Sequence, residues 1–278
     1  MSDCVTLDGI TLRYRLQGRG PLLVLLHELG GSLDSWDETA ALLQDDFTIL
    51  RHDQRGAGGS DKPRTILTPD DHSADLVRLL AHLRLPPPYR LAGVAAGAAL
   101  AVAFALRQPQ QVAALALCAP ALTVDPSRRQ YLTERADLAS RAGMQAIAEA
   151  SLANSYPPVM RRDAQAYARY RDRFLANDPL CYGNANRALA EIDLEQDVPR
   201  LGMPCLVLSG CHDGLRPPAA GRALAARIPG AVFDTIDSGH LMPVQAGAAL
   251  ADRLRDFFLA APGQGMLAEG HERRLHHP

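Results

Sequence analysis

The pentapeptide Gly93-Val94-Ala95-Ala96-Gly97 joins a short apolar run to an alanine-rich stretch. Its flanking glycines permit a sharp strand-to-helix turn that projects the middle side chain above a sheet. A serine there would be a nucleophile. Ala95 instead offers a methyl group, which can form no covalent bond to a substrate. By itself the pattern has a packing explanation, because small residues suit any tight strand-to-helix turn. Two residues further along add to it: Asp213 in SGCHDGLRPP and His240 in DSGHLMP each follow directly on an apolar run. Ligands and catalytic groups gather beyond the carboxyl ends of parallel strands, so residues 95, 213 and 240 are expected to converge. An aspartate beside an imidazole orients the ring as a general base.

The elements that must position these groups read as alternating strands and helices. Apolar runs at 22–26, 48–50, 89–92, 112–117, 205–209 and 231–236 predict buried strands, and helical spacing predicts helices at 36–43, 69–85, 96–107, 219–228 and 246–260. Leu76, Leu79, Leu80 and Leu83 mark the inner face of the second helix, with Asp70 and Asp71 at its positive end and three prolines at 86–88 to stop it. This alternation predicts an α/β protein with a mostly parallel central sheet flanked by helices. Residues 1–121 and 199–262 form its core. The arginine-rich, strand-free stretch 122–198 is a helical cap inserted between sheet elements, and 263–278 reads as a disordered tail. The tail histidines (His271, His276, His277) are frayed terminal residues rather than metal ligands.

The stretches HELGGSLDSW, RHDQRGAGGSDKP, GVAAG, SGCHDGLRPP and SGHLMP together resemble the α/β-hydrolase fold family, in its enol-lactonase and aminoacrylate-hydrolase-like branch. The likeness runs from Gly9 to Ala260. It implies the order nucleophile position, acid, histidine, and an oxyanion hole built from the backbone N–H groups near Leu29 and Ala96. At two positions the chain departs from the family. Ala95 replaces the serine, and Glu28 stands where the usual motif has histidine followed by glycine. A carboxylate there would oppose a developing oxyanion. The two changes belong together, since losing the nucleophile removes the need for a hole shaped around an acyl-enzyme. The chemistry they imply is general acid/base catalysis. His240, oriented by Asp213, acts on water, with Glu28 as second acid or base, against a small activated carbonyl, enol-lactone, amide or enamine. The bland alternative for Glu28 is that it turns away to pair with an arginine.

Around this site, Trp36 near the HELGG loop and Tyr156 in the cap are candidate substrate-binding residues. Tyr167, Tyr170 and the cap arginines are candidates to meet a carboxylate-bearing substrate, although arginines on helices are ordinarily solvated. His27 reads as structural, and so does an ion pair of Arg55 or Asp53 that fixes its loop. Three other readings stay open. One is an esterase inactivated by an engineered Ser-to-Ala change at Ala95, against which Glu28 argues. The others are a cofactor-independent lyase or decarboxylase, and a non-catalytic small-ligand receptor.

Composition narrows the partners. The chain has 278 residues, 47% hydrophobic and 22% charged, with a net charge of −2, so no basic stripe for nucleic acid is expected. No run is long and apolar enough for a bilayer. Five cysteines without paired spacing suggest neither a disulfide framework nor a metal site, and Cys118 and Cys205 fit core packing. The glycines at 56–59 lack the spacing of a dinucleotide-binding turn, so no cofactor is expected. The expected partner is a small-molecule substrate and the expected location is the cytoplasm. The oligomeric state is not legible.

Overall fold

The computed structural model describes residues 2–261, so the reading of 263–278 and its histidines lies outside the described residues. Eight strands form one sheet: β1 (Asp3–Leu7), β2 (Ile10–Gly18), β3 (Leu22–Leu26), β4 (Thr48–His52), β5 (Tyr89–Val94), β6 (Val112–Cys118), β7 (Cys205–Gly210) and β8 (Val232–Ile236). Their spatial order is β1-β2-β4-β3-β5-β6-β7-β8. Strand β2 runs against its neighbours β1 and β4, and every other pairing is parallel. The α/β architecture expected from the sequence is therefore present.

The N-terminal hairpin β1–β2 is absent from the sequence expectations. Its residues are mostly half-buried or exposed, so it shows no apolar run. The available signal was the dipeptide Asp8-Gly9, whose φ angles of +50° and +79° suit a tight hairpin turn.

Helices α1 (Asp37–Leu43) and α10 (Gly247–Ala260) cover one face of the sheet, and α2 (Pro69–His82), α3 (Ala96–Arg107) and α8 (Pro218–Ala225) cover the other. Strand β3 feeds both cores: Leu22, Val24 and Leu26 point to one, Leu23 and Leu25 to the other. Such a strand has no polar face to show, which is why it reads as one continuous apolar run. Helix α2 stops at His82 rather than at 85. Arg84 adopts a left-handed conformation (φ +53°), and the N–H groups of Arg84 and Leu85 return to the carbonyls of Ala81 and Leu80, closing the helix before the prolines.

Between β6 and β7 lie α4 (Pro126–Ala142), α5 (Gln145–Ser155), α6 (Ala164–Leu175) and α7 (Pro179–Ala190). They share a third apolar cluster, including Ile147, Leu152, Tyr170 and Phe174, which reaches the rest of the molecule at Leu241. One short helix, α9 (Met242–Gln245), was not anticipated. Among the described residues no helix is long and apolar enough to cross a membrane.

Candidate active site

Ala95 follows β5 and precedes α3 with φ +52° and ψ −111°, a region that side-chain-bearing residues avoid. Close packing enforces it. A Cβ on Gly93 would collide with the carbonyl oxygen of Gly97, and one on Gly97 would collide with that of Leu26. The turn is then pinned by Ala95 N–H donating to Cys118 O at 2.9 Å and Ala121 N–H donating to Ala95 O at 3.2 Å. The sharp turn is thus retained in full, with only a methyl at its apex.

His240 and Asp213 meet across the ends of β8 and β7. The imidazole Nδ1 lies 2.8 Å from Asp213 Oδ2, and the other carboxylate oxygen accepts the backbone N–H groups of Leu215 and Arg216 at 2.8 and 2.9 Å. A buried carboxylate needs such partners to offset its lost hydration. With Nδ1 donating to aspartate, Nε2 keeps its lone pair. Gln245 steadies the histidine loop: its Oε1 accepts from Leu241 N–H at 3.1 Å, while its Nε2 donates to Ser155 O at 2.9 Å.

Glu28 follows β3 and is only 2% exposed. Its Oε1 accepts the Ser35 hydroxyl at 2.8 Å, and among the described residues its Oε2 has no hydrogen-bond partner. It forms no ion pair among the described residues, so the alternative in which it turns away to an arginine is not what the fold adopts. Gly31 makes this placement possible, because a Cβ there would overlap the carboxylate. Tyr170 faces the same carboxylate. Burial first, then the negative charge of Glu28, holds its phenol well above the ordinary value.

Glu28, Leu29, Ala95, Ala96 and His240 all line one cavity of about 420 Å³, a size suited to a small organic ligand. Asp213 sits behind the histidine rather than on the wall. Ala96 opens α3, at the positive end of a helix, and among the described residues neither its N–H nor that of Leu29 donates to a backbone carbonyl outside regular structure. A smaller space of about 90 Å³ adjoins the first and shares Glu28, Leu29, Ala96 and Tyr182 with it.

Two expected binding residues do not reach this cavity. Trp36 is fully buried with Leu25, Ala40 and Leu43, where it anchors α1 to the sheet. Tyr156 ends α5 and packs edge-on against Tyr167 and tilted against Tyr170, with centroids 5.1 and 5.9 Å away. Of the tyrosines named from sequence, Tyr170 is the one on the wall, and Phe174 one turn further along α6 joins it. That i, i+4 spacing was the available signal. Of the cap arginines expected to meet a carboxylate-bearing substrate, Arg128 and Arg135 line the cavity, and Tyr131, Tyr182 and Arg216 line it without having been expected there.

The loop after β4 is structural. Asp53 accepts the N–H groups of Leu33 and Gly59, both at 2.7 Å, and pairs with Arg13, while Arg55 binds Asp75 at 2.6 Å. His27 accepts Gln54 N–H at its Nε2 and donates from Nδ1 to Glu28 O at 2.8 Å, fixing the backbone that carries the glutamate. Among the described residues no cluster of histidine, cysteine or acidic side chains has the arrangement of a metal site.

Comparison with known proteins places this architecture. A family described as alpha/beta hydrolase fold matches residues 21–246. The 3-oxoadipate enol-lactonase 2 of Acinetobacter baylyi is 25% identical over 246 residues, which cover 87% of this chain and 91% of that protein. The crystal structure of an enol-lactonase from Burkholderia xenovorans superposes with a TM-score of 0.87 at 30% identity, covering 92% of this chain and 100% of that one. A thermophilic esterase from Thermogutta terrifontis gives a TM-score of 0.87 at 27% identity, covering 93% and 98%.

Proposed function

This chain belongs to the alpha/beta hydrolase fold family, and from that premise we propose that it hydrolyses a small activated carbonyl compound by direct attack of water, without an acyl-enzyme. The observation that carries the reading is the methyl of Ala95 at the apex of an intact turn, in one cavity with His240 and Glu28. A substrate carbonyl set over that methyl meets no protein nucleophile, and the space a serine oxygen would take is free for water. His240 Nε2 accepts a proton from that water as its oxygen bonds to the carbonyl carbon and the carbonyl electron pair moves onto oxygen. Collapse of the adduct breaks the bond to the leaving group, which takes a proton from the imidazolium. Asp213 stabilises the imidazolium meanwhile. Glu28, beside Leu29 and Ala96, serves as the second proton carrier on the face where the oxyanion forms. Protonated, it donates to that oxygen rather than repelling it. Helices α4–α7 act as a cap that excludes bulk water. Enol-lactones and amides fit this scheme directly, since each offers a polarised carbonyl carbon and a leaving group stabilised by protonation, and an enamine fits it after protonation of its β-carbon creates an iminium carbon that water attacks, the amine then leaving.

The test is a panel of enol-lactones, p-nitrophenyl esters and aryl carbamates under single-turnover conditions in ¹⁸O-labelled water. The expected outcome is label in the acid product, no added mass on the protein at any time, and loss of at least a hundredfold in rate in His240→Gln. An acyl adduct on the protein, or turnover unchanged in His240→Gln, would sink the proposal.

A further inference from the structure

Three arginines line the main cavity, and they are not equivalent. Arg135 is committed: it donates to Asn186 Oδ1 and lies 5.4 Å from the ring centre of Tyr131 and 5.8 Å from that of Tyr182. Arg128, in the first turn of α4, makes no side-chain hydrogen bond and no ion pair among the described residues, and Arg216, in the loop after β7, makes only one side-chain contact, from Nη2 to Thr123 O at 2.8 Å. The carboxylates around them are all engaged elsewhere. Asp125 caps α4 through Ser127, Asp213 holds His240 and two backbone N–H groups, and Glu195 pairs with Arg227 at 2.6 Å.

The two guanidinium groups therefore line one cavity, close enough for the charge of Arg128 to act on Arg216, and among the described residues neither forms an ion pair, although Asp125 lines the same cavity. Burial lowers the Arg216 pKa from its ordinary value and the Arg128 charge lowers it further, with the more distant charges of Asp213 and Glu195 offsetting only part of that. Like charges held together in a sheltered space are unfavourable, and an incoming anion relieves both the repulsion and the lost hydration. Guanidinium forks match the planar carboxylate, and the wall around them is apolar at Val124, Leu132 and Ala220.

We infer that Arg128 and Arg216 form an anion-recognition pair that selects substrates bearing a free carboxylate on a short apolar skeleton. The inference rests on the proposed use of this cavity as the substrate site, and it deepens that reading by fixing the charge of the substrate. One residue comes from the helices between β6 and β7 and the other from a strand-end loop, so a bound carboxylate would also tie those two parts together.

Binding, rather than turnover, separates this inference from the catalytic reading. The probe is hexanoate, compared with the neutral isostere hexanamide, with affinities measured by ligand-observed NMR titration. Hexanoate is expected to bind at least tenfold more tightly than hexanamide, both to the natural chain and to His240→Gln. Arg128→Met and Arg216→Met should each weaken hexanoate at least tenfold while leaving hexanamide within twofold, and the distant Arg19→Met should change neither. Arg128→Met removes no hydrogen bond of the free protein, so it keeps the test valid should Arg216→Met fail to fold. Equal affinity for the two probes, no detectable hexanoate binding, or unchanged affinity in Arg128→Met overturns the pair. The hydrolytic reading would survive any of those results, just as hexanoate selectivity would survive a failure to find turnover.

Discussion

A single methyl separates this site from one able to form an acyl-enzyme, and the strain at residue 95 makes that difference testable. The φ and ψ of Ala95 are held by packing of Gly93 and Gly97, not by anything the side chain does. A hydroxyl added there needs no backbone change. Ala95→Ser is therefore expected to react with a fluorophosphonate probe, but slowly, since the buried Glu28 side chain occupies the face where a hole of backbone N–H groups would receive the phosphoryl oxygen. The double variant Ala95→Ser/Glu28→Gly should label at least tenfold faster, in line with the range for gain or loss of one oxyanion contact. Labelling rates followed by intact mass decide it, and a double variant no faster than the single one would remove Glu28 from the oxyanion face. Much at this scale was legible in the chain. Ala95, Asp213 and His240 announce themselves because each ends an apolar run, and Glu28 by breaking a familiar pattern. The Trp36 and Tyr156 expectations misplace both rings, because closeness in sequence to a site loop does not say which way a ring turns. Arg216 was unreadable, and Arg128 indistinguishable from the other cap arginines, for a related reason: what marks them is the lack of an ion-pair partner at the cavity wall, and that is a property of three dimensions.

The elements that carry the site were readable to the degree that they are buried. Strand β3 and helix α3 have the predicted bounds, since one is apolar throughout and the other is an alanine-rich helix with few alternatives. Hairpin β1–β2 escaped notice because an edge that faces solvent carries little apolar signal. Where β4 meets α2 the fold buries something the sequence does not flag: His52 and His72 lie near each other and near His27. Among the described residues neither His52 ring nitrogen has a hydrogen-bond partner, and Nδ1 of His72 has none. Burial pushes His52 down to about 4 and His72 down to about 3, with the neighbouring positive charges adding to it. In the unfolded chain these rings titrate near 6.5, so between about pH 6.5 and 4 the unfolded state binds protons that the folded state refuses. Stability is unaffected by these groups above that window and falls as pH drops through it. For His52 the loss is on the order of 3 kcal/mol. Replacing the ring by an apolar side chain, His52→Leu, should remove most of that loss. Urea unfolding at pH 7 and pH 4.5 should then show a much smaller drop in stability for the variant than for the natural chain, and equal drops in both would exclude His52 as a source of acid sensitivity.

At the scale of the whole molecule, two apolar cores sandwich the sheet while α5 and α6 pack in a third cluster, shared with Ala139 of α4 and Tyr182 of α7 and reaching Leu241. That cluster meets the remainder through a small apolar contact at Leu29, Leu241 and Val244 and through single polar contacts: Gln245 to Ser155 O at 2.9 Å, Asn177 to Gly30 O at 2.9 Å, and Arg173 to the Ser35 hydroxyl at 3.4 Å. Polar contacts of this kind contribute about 1 kcal/mol each, much less than the buried area of the main cores. The sequence signalled an insertion here through its lack of strands, but not how loosely it is held, because that depends on which side chains face inward. A region docked in this way opens without unfolding the sheet. Amides of α5 and α6 should accordingly exchange with solvent at least a hundredfold faster than those of β3, β5 and β6 in native-state hydrogen exchange. Tyr170 and Phe174 line the cavity from α6, so a ligand that fills it binds the closed form preferentially and should slow exchange in α5 and α6 while leaving the central strands unchanged. Should both sets of amides exchange at a common rate, the helices and the sheet open as one unit, and substrate must reach Ala95 and His240 by a route that needs no movement of α5 or α6.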